Sequence, residues 1–198
     1  VLNELFSRRD AEAQLAERAA RVLAWARELL APAGTLLLVE PALRETSRAL
    51  LGVRDRVLAA GLHVVAPCFL QGPCPALARE RDWCHDAARV PSAPRVDFSW
   101  VALRAEPPPP APPDHLRVVS DPLVEKGRLR LFVCGADGRH ELTRLDRMAS
   151  SANADFARLG RGDVVDVSGA IGGEGGRRIA VDTRVDRVVS KVVGSTRP

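Results

Sequence analysis

Tyrosine is absent from this 198-residue chain, and the other aromatics are few: five Phe and three Trp. So thin a supply argues against recognition by a broad stacking platform. It nearly excludes a conventional RNA-recognition sheet, in which several surface aromatics each stack a base. Lysine is almost missing as well. Of 29 basic residues only Lys126 and Lys191 are lysines, a bias that codon composition explains at least as well as function does. No apolar run approaches a membrane span, and the first segment, VLNELFSRRD, has neither a basic-then-apolar signal nor a cleavage site. Neither a membrane nor a secretory route is expected. The chain opens on Val1 rather than Met, which reads as a cut into a longer protein.

What is present suits a globular protein: 46% hydrophobic and 27% charged residues, over a length that allows one large or two small domains with a real core. The net charge of +4 is unevenly placed. Residues 1–114 carry 14 Lys/Arg against 14 Asp/Glu, and residues 115–198 carry 15 against 11. The excess therefore sits wholly in the second part, where it suits either an anionic partner or an ordinary solvated surface.

Residues 10–31 place Leu15, Ala19, Val22, Ala26, Leu29 and Leu30 at helical spacing, with Asp10 as N-cap and Pro32 beyond the end. Gly34 breaks the helix. Thr35–Val39 is a continuous apolar run of the kind expected for a strand buried on both faces. A second helix is expected over 46–60, with Gly61 as its stop, and strands over His63–Ala66 and Phe98–Arg104. This alternation predicts a parallel sheet covered by helices over 1–105. Residues 67–95 form an insertion broken by Pro and Gly that needs internal support. Residues 106–114, EPPPPAPPD, read as a semi-rigid linker. Beyond it, RLRLFVC and GRHELTRL flank a Gly135–Gly138 turn, and two further strands flank GGEGG, so a small antiparallel barrel or sandwich is expected over 115–190, with 191–198 as a tail.

The cysteines carry the strongest chemical signal. Cys68, Cys74, Cys84 and Cys134 give C-x5-C-x9-C-x49-C, and the first three fall within 17 residues of loop. Four unrelated buried thiols are the plain alternative, because free Cys packs as a small hydrophobe. The cluster, however, lies off any apolar face, with Pro or Gly beside the sulfur in APC and GPCP. Zinc generally uses paired C-x2-4-C knuckles, which neither interval matches. An iron–sulfur cube tolerates wider spacing. His85 rivals Cys134 as fourth ligand, but it adjoins Cys84, and neighbouring side chains in an extended segment point apart. In RLRLFVC the residues Leu129, Leu131 and Val133 share one strand face, which leaves Cys134 on the other with Arg128 and Arg130. Those two arginines are the candidate nucleic-acid contacts.

VLNEL at Val1–Leu5, GTLLLVEP at Gly34–Pro41, VVAPCFLQGPCP at Val64–Pro75, DWCH at Asp82–His85 and the lone Cys134 in a strand are similar to segments of a known family. Together they resemble the methyltransferase-like assembly factors of the mitochondrial small ribosomal subunit and their bacterial relatives. The resemblance implies the C-terminal part of a Rossmann-like methyltransferase fold with a Cys-rich insertion, followed by a small antiparallel β domain. It also implies a 4Fe-4S cluster on Cys68, Cys74, Cys84 and Cys134, and small-subunit ribosomal RNA or a ribosome assembly intermediate as partner. The location it implies is the mitochondrial matrix, or the cytoplasm for a bacterial relative.

The chain departs from that pattern at its start. A Gly-rich loop after a first strand and an acidic residue after a second would hold S-adenosylmethionine, and neither is visible, so that cofactor is expected only in a full-length protein. GGEGG lies between two expected strands and is no substitute. Asn3 and Glu4 would sit beside a methyl donor in related folds, but without the rest of the pocket they read as turn caps. No Ser/His/Asp triad, carboxylate pair or phosphate loop supports independent hydrolytic chemistry. The leading expectation is thus a binding and assembly factor whose cut sheet edge a dimer or a missing N-terminal half would cover. A fragment of an active RNA methyltransferase and a zinc-stabilised RNA-binding module are the alternatives.

Overall fold

The computed structural model describes residues 11–112, 114–173 and 176–189. Asp10, Asn3, Glu4 and the 191–198 tail fall outside the described residues. The chain divides into two compact units, Val1–Ala111 and Pro112–Pro198.

In the first unit helix α1, Ala11–Leu29, precedes strand β1, Leu36–Pro41, helix α2, Arg44–Ala59, and strand β2, His63–Ala66. Strands β3, Asp86–Val90, and β4, Ala93–Arg104, complete it. The 12-residue β4 is the spine of the sheet. One of its edges pairs with β1, Leu36 opposite Leu103 through Pro41 opposite Phe98. Its other edge pairs with β2 near Leu103 and with β3 from Phe98 back to Ala93. All three ladders are antiparallel. Val22 of α1, with Leu50, Val53 and Val57 of α2, packs against Leu38, Val64, Val101 and Leu103 of the sheet. Each such burial stabilises by about 1.5–3 kcal/mol.

The expected Rossmann-like α/β fold is not what forms. The protein is mostly β, 39% strand against 25% helix, and the strands taken as parallel neighbours, β1 and β2, are separated by β4 running the other way. A strand–helix–strand order fixes the direction of its two strands but not whether they touch, and a later strand fills the gap. Nor is β1 buried on both faces. Its side chains alternate, with Leu38 and Glu40 inside while Leu37 and Val39 remain 56% and 45% exposed. The insertion likewise contains an unexpected element, β3, which forms a hairpin with the early part of β4.

The second unit runs β5, His115–Val118; β6, Leu123–Glu125; β7, Arg128–Gly135; β8, Gly138–Leu145; β9, Val164–Ser168; β10, Ile171–Gly173; β11, Gly176–Ile179; and β12, Arg184–Val189. They form one sheet in the order β10-β11-β8-β7-β5-β9-β12, with β6 against β7. Only Gly169 and Ala170 separate β9 from β10, so a single length of chain runs from β9, next to the β12 end of the sheet, to β10 at the other end, and curls the sheet into a barrel. The contact between β11 and β8 is parallel, which corrects the expectation of a purely antiparallel unit. It arises because β11 pairs with β10 on one side and β8 on the other, while β12 returns to β9.

The barrel interior holds Leu116, Val118, Leu131, Val133, Leu142, Val165 and Ile179, closed by Phe156 and Leu159 from the β8–β9 connection. Asn153, fully buried, ties that connection down. Its Oδ1 accepts from Ser150 N and from Arg144 Nη1, each at 3.1 Å, and its Nδ2 donates to Met148 O and Ala180 O at 3.0 and 2.9 Å.

Candidate functional site

The segment 67–85 leaves β2 through a cis Ala66–Pro67 bond and contains no regular element beyond a single 3-10 turn, Pro75–Leu77. Its carbonyls therefore have no ladder in which to bond, and buried carbonyls need partners. Helix α2 supplies them. Arg48 Nη1 donates to Ala76 O, Arg79 O and Asp82 O at 3.1, 2.9 and 2.5 Å. Arg44 Nη2 donates to Glu80 O at 2.7 Å. Arg54, only 2% exposed, donates to Gly72 O at 2.8 Å and to Leu70 O, and pairs with Asp55. Asp55 in turn accepts from Cys74 N, at 3.1 and 2.9 Å from its two oxygens.

The far end of the loop is fixed from β4. Ser99 Oγ donates to Cys84 O at 2.8 Å while accepting from the buried Ser47 hydroxyl at 2.6 Å. Trp100 Nε1 donates to buried Asp86 at 2.7 Å. At the near end Gln71 bonds both backbone groups of Val64, at 3.2 and 2.7 Å. The support expected from within the insertion thus comes from α2, β2 and β4. Arg44, Arg48 and Asp55 lie four and seven residues apart, one stripe of the helix. That spacing was the available signal, but a charged helical stripe ordinarily faces solvent, and sequence reasoning passed over it.

This scaffold brings Cys68 and Cys84 near Cys74, all three half-buried and outside any disulfide. Burial pushes the Cys74 thiol up to about 11 from 9.0, the Ala76 amide and the Arg54 charge pull it down, and Cys84 and Cys68 push it up again. Cys68 and Cys84 are each within electrostatic reach of Cys74. Two amides are aimed at sulfur: Leu70 N donates to Cys68 Sγ at 3.4 Å, and Ala76 bonds Cys74. Such donors are among the features that tune a thiolate-held cluster, and an all-Cys donor set suits iron–sulfur chemistry. Among the described residues no three His, Cys, Asp or Glu side chains gather as a site for a single metal ion. His85 stacks on Trp83, with ring centroids 4.2 Å apart.

Cys134 belongs to the other unit, on β7 opposite Arg139 and Arg117, and is 9% exposed. Arg128 and Arg130 extend from the β7 face opposite Leu129 and Leu131. Neither guanidinium stands alone. Arg128 pairs with Glu125, and Arg130 bridges Glu125 and Glu141. Much of their charge is spent inside the protein, and the same contacts hold the Glu125 carboxyl below its ordinary pKa.

With both units in view, the family model of the mitochondrial small ribosomal subunit protein Rsm22 matches residues 12–152. The chain belongs to the Rsm22 family. The matched span covers both helices, the first sheet and the β7–β8 hairpin, and it includes all four cysteines. Comparison with curated proteins returned no match. The Rsm22 family is one of the mitochondrial small ribosomal subunit, which ties this chain to ribosome assembly and translation. No helix among the described residues is long and apolar enough to cross a membrane.

Proposed function

We propose that this Rsm22-family chain is an iron–sulfur-stabilised factor that binds ribosomal RNA during assembly of the small ribosomal subunit in the mitochondrial matrix. The observation that carries the reading is the cysteine loop itself. A 19-residue segment of chain is held by three arginines, one aspartate and a buried serine pair, and two of its amides point at sulfur. So much buried polar support is costly unless the segment must keep a defined form.

Cys68, Cys74 and Cys84 would hold the cluster, with Cys134 as the fourth ligand. Bound there, the cluster would supply a covalent lock rather than reaction chemistry, since four protein thiolates leave no open iron position. The chain's own residues set the remaining requirement. The neutral Cys74 thiol, raised by burial, must release its proton when a cation arrives, so loading is favoured by rising pH. No methyl transfer is assigned.

The test is anaerobic purification with iron, sulfide and zinc analysis beside a visible absorption spectrum. The expected result is a broad iron–sulfur band with about four irons per chain, reduced in Cys134→Ser together with its melting temperature. Stoichiometric zinc, or full iron content in Cys134→Ser, would overturn the four-thiolate cluster.

A further inference from the structure

The barrel has a surface that the cysteine site does not use. Followed around the closed sheet, its strands come in the order β5, β7, β8, β11, then the β10–β9 length, and back to β5. Numbered along the chain, these are the first, second, third, fifth and fourth strands of a five-stranded Greek-key barrel. Barrels of that architecture present the outer face of the second and third strands, flanked by the first and last hairpin loops, to extended ligands. Here that face belongs to β7 and β8. Its near loop is the segment 119–127, and the β10–β11 pair lies on its far side. Glycine is required in β10, for Gly172 has φ +139 and a Cβ there would meet Gly176 O at 2.6 Å.

The side chains on this face suit one class of ligand. Phe132 is half-exposed in the middle of β7, whereas the unit's other aromatic, Phe156, is sealed in the core. Arg139 sits over the Phe132 ring at 5.8 Å, so an aromatic and a guanidinium surface adjoin. On the same face, two strands from Phe132, Arg178 extends from β11, opposite Thr143 on β8 and Ile171 on β10. It is exposed and has no charged or hydrogen-bonding partner among the described residues. Glu125 and Glu141, the acids of this face, are already engaged by Arg128 and Arg130. Toward solvent this face presents the Phe132 ring with Arg139 over it, and Arg178 on β11.

We infer that the β7–β8–β11 face, through Phe132, Arg139 and Arg178, binds single-stranded RNA by stacking one base on the Phe132–Arg139 pair and holding a neighbouring phosphate with Arg178. This rests on the proposed RNA-binding role and locates it. A single ring is enough for one base, so the shortage of aromatics that excludes a broad platform does not exclude this site. Duplex RNA does not fit, because its bases are already stacked on one another and cannot splay out onto a protein side chain. The earlier candidates, Arg128 and Arg130, become supports that neutralise Glu125 and Glu141 rather than phosphate contacts.

Fluorescence anisotropy of the full chain, loaded as purified, decides this with a labelled oligouridylate of about twelve nucleotides and the same strand annealed to oligoadenylate, titrated over a range of salt. The parent should prefer the single strand. Phe132→Leu should weaken single-strand binding about tenfold, the loss expected for one stacked base, with its salt slope unchanged. Arg178→Gln should flatten the slope by about 0.7, one phosphate contact on a single strand. Arg178 is exposed and unpaired among the described residues, so its variant keeps the test open if Phe132→Leu disturbs the strand. Parent-like affinity and slope in both variants, or equal binding of duplex, would overturn the face while leaving the RNA role standing. A parent that binds neither RNA would overturn the role itself.

Discussion

The two units spend their buried polar groups in opposite directions. In the first, Arg54 and Asp55 reach from a regular helix to a loop that has no ladder of its own, so the secondary structure serves an irregular segment. In the barrel, Asn153 and Arg144 bind the barrel's own connections, Met148 O, Ala180 O and Asn153 O. There the irregular segments serve the secondary structure by closing its end. The first arrangement builds a place for something to be held. The second builds a rigid surface. Both units use multi-donor side chains, because one guanidinium or one amide can satisfy several backbone groups that neither helix nor sheet reaches.

All three tryptophans, Trp25, Trp83 and Trp100, lie in the first unit. Tryptophan fluorescence therefore follows that unit alone, while hydrogen exchange of the β7–β8 backbone amides follows the barrel. The largest effect is expected for Arg54→Met. It leaves Asp55 without its cation and Leu70 O and Gly72 O without their donor. Removing one partner of a buried pair costs about 3–5 kcal/mol. In urea the fluorescence midpoint should fall while the exchange protection of the β7–β8 amides in the barrel stays. A fall in both would show that the loop supports more than its own unit.

Asn153→Ala should produce the mirror image, smaller by about half. The loss of four hydrogen bonds around one buried amide costs about 2–3 kcal/mol, read as lower exchange protection of the β7–β8 amides with the fluorescence midpoint unmoved. A smaller shift is expected from pH. His140 is 6% exposed, and burial lowers its pKa below the ordinary 6.5, with Asp137 opposing the shift and Arg177 adding to it. Above pH 6.5 the imidazole is neutral folded or unfolded and pH changes nothing. Below that value the unfolded chain takes a proton that the barrel refuses, so barrel stability falls as pH falls. His140→Gln should remove that part of the slope, and an unchanged slope in the variant would assign it to other groups.

What could be read from the sequence was whatever is local. Helix α2 follows from its apolar spacing and its Gly61 stop, and the β7–β8 hairpin from alternation on either side of a Gly-bounded turn. The cysteine spacing marked the loop that the structure organises. The pairing partners were not legible. Nothing in LLLVEP or HVVA says that β4, some sixty and forty residues on, will lie between them. The α2 arginines were missed for a related reason. Arg48 and Arg54 look like any solvated helix face until the loop they hold is brought across from 28 and 18 residues away. Arg128 and Arg130 were picked out by the face they occupy, but alternation says nothing of the carboxylates that meet them there.

The β9–β10 join also bears on the order in which the barrel comes together. The β7–β8 hairpin closes across the two residues Ala136 and Asp137, a contact that forms in microseconds in isolation. The pairing of β5 with β9, by contrast, brings His115 to Asp166 across 51 residues. Because β9 runs into β10 through only Gly169 and Ala170, that long-range pairing and the docking of β10–β11 on β8 cannot be independent events: whichever forms first delivers the other. The entropy of the large loop is lost once rather than twice. The hairpin then acts as a template present from the outset, and the rate of folding is set by the single search that brings the second half of the barrel to it.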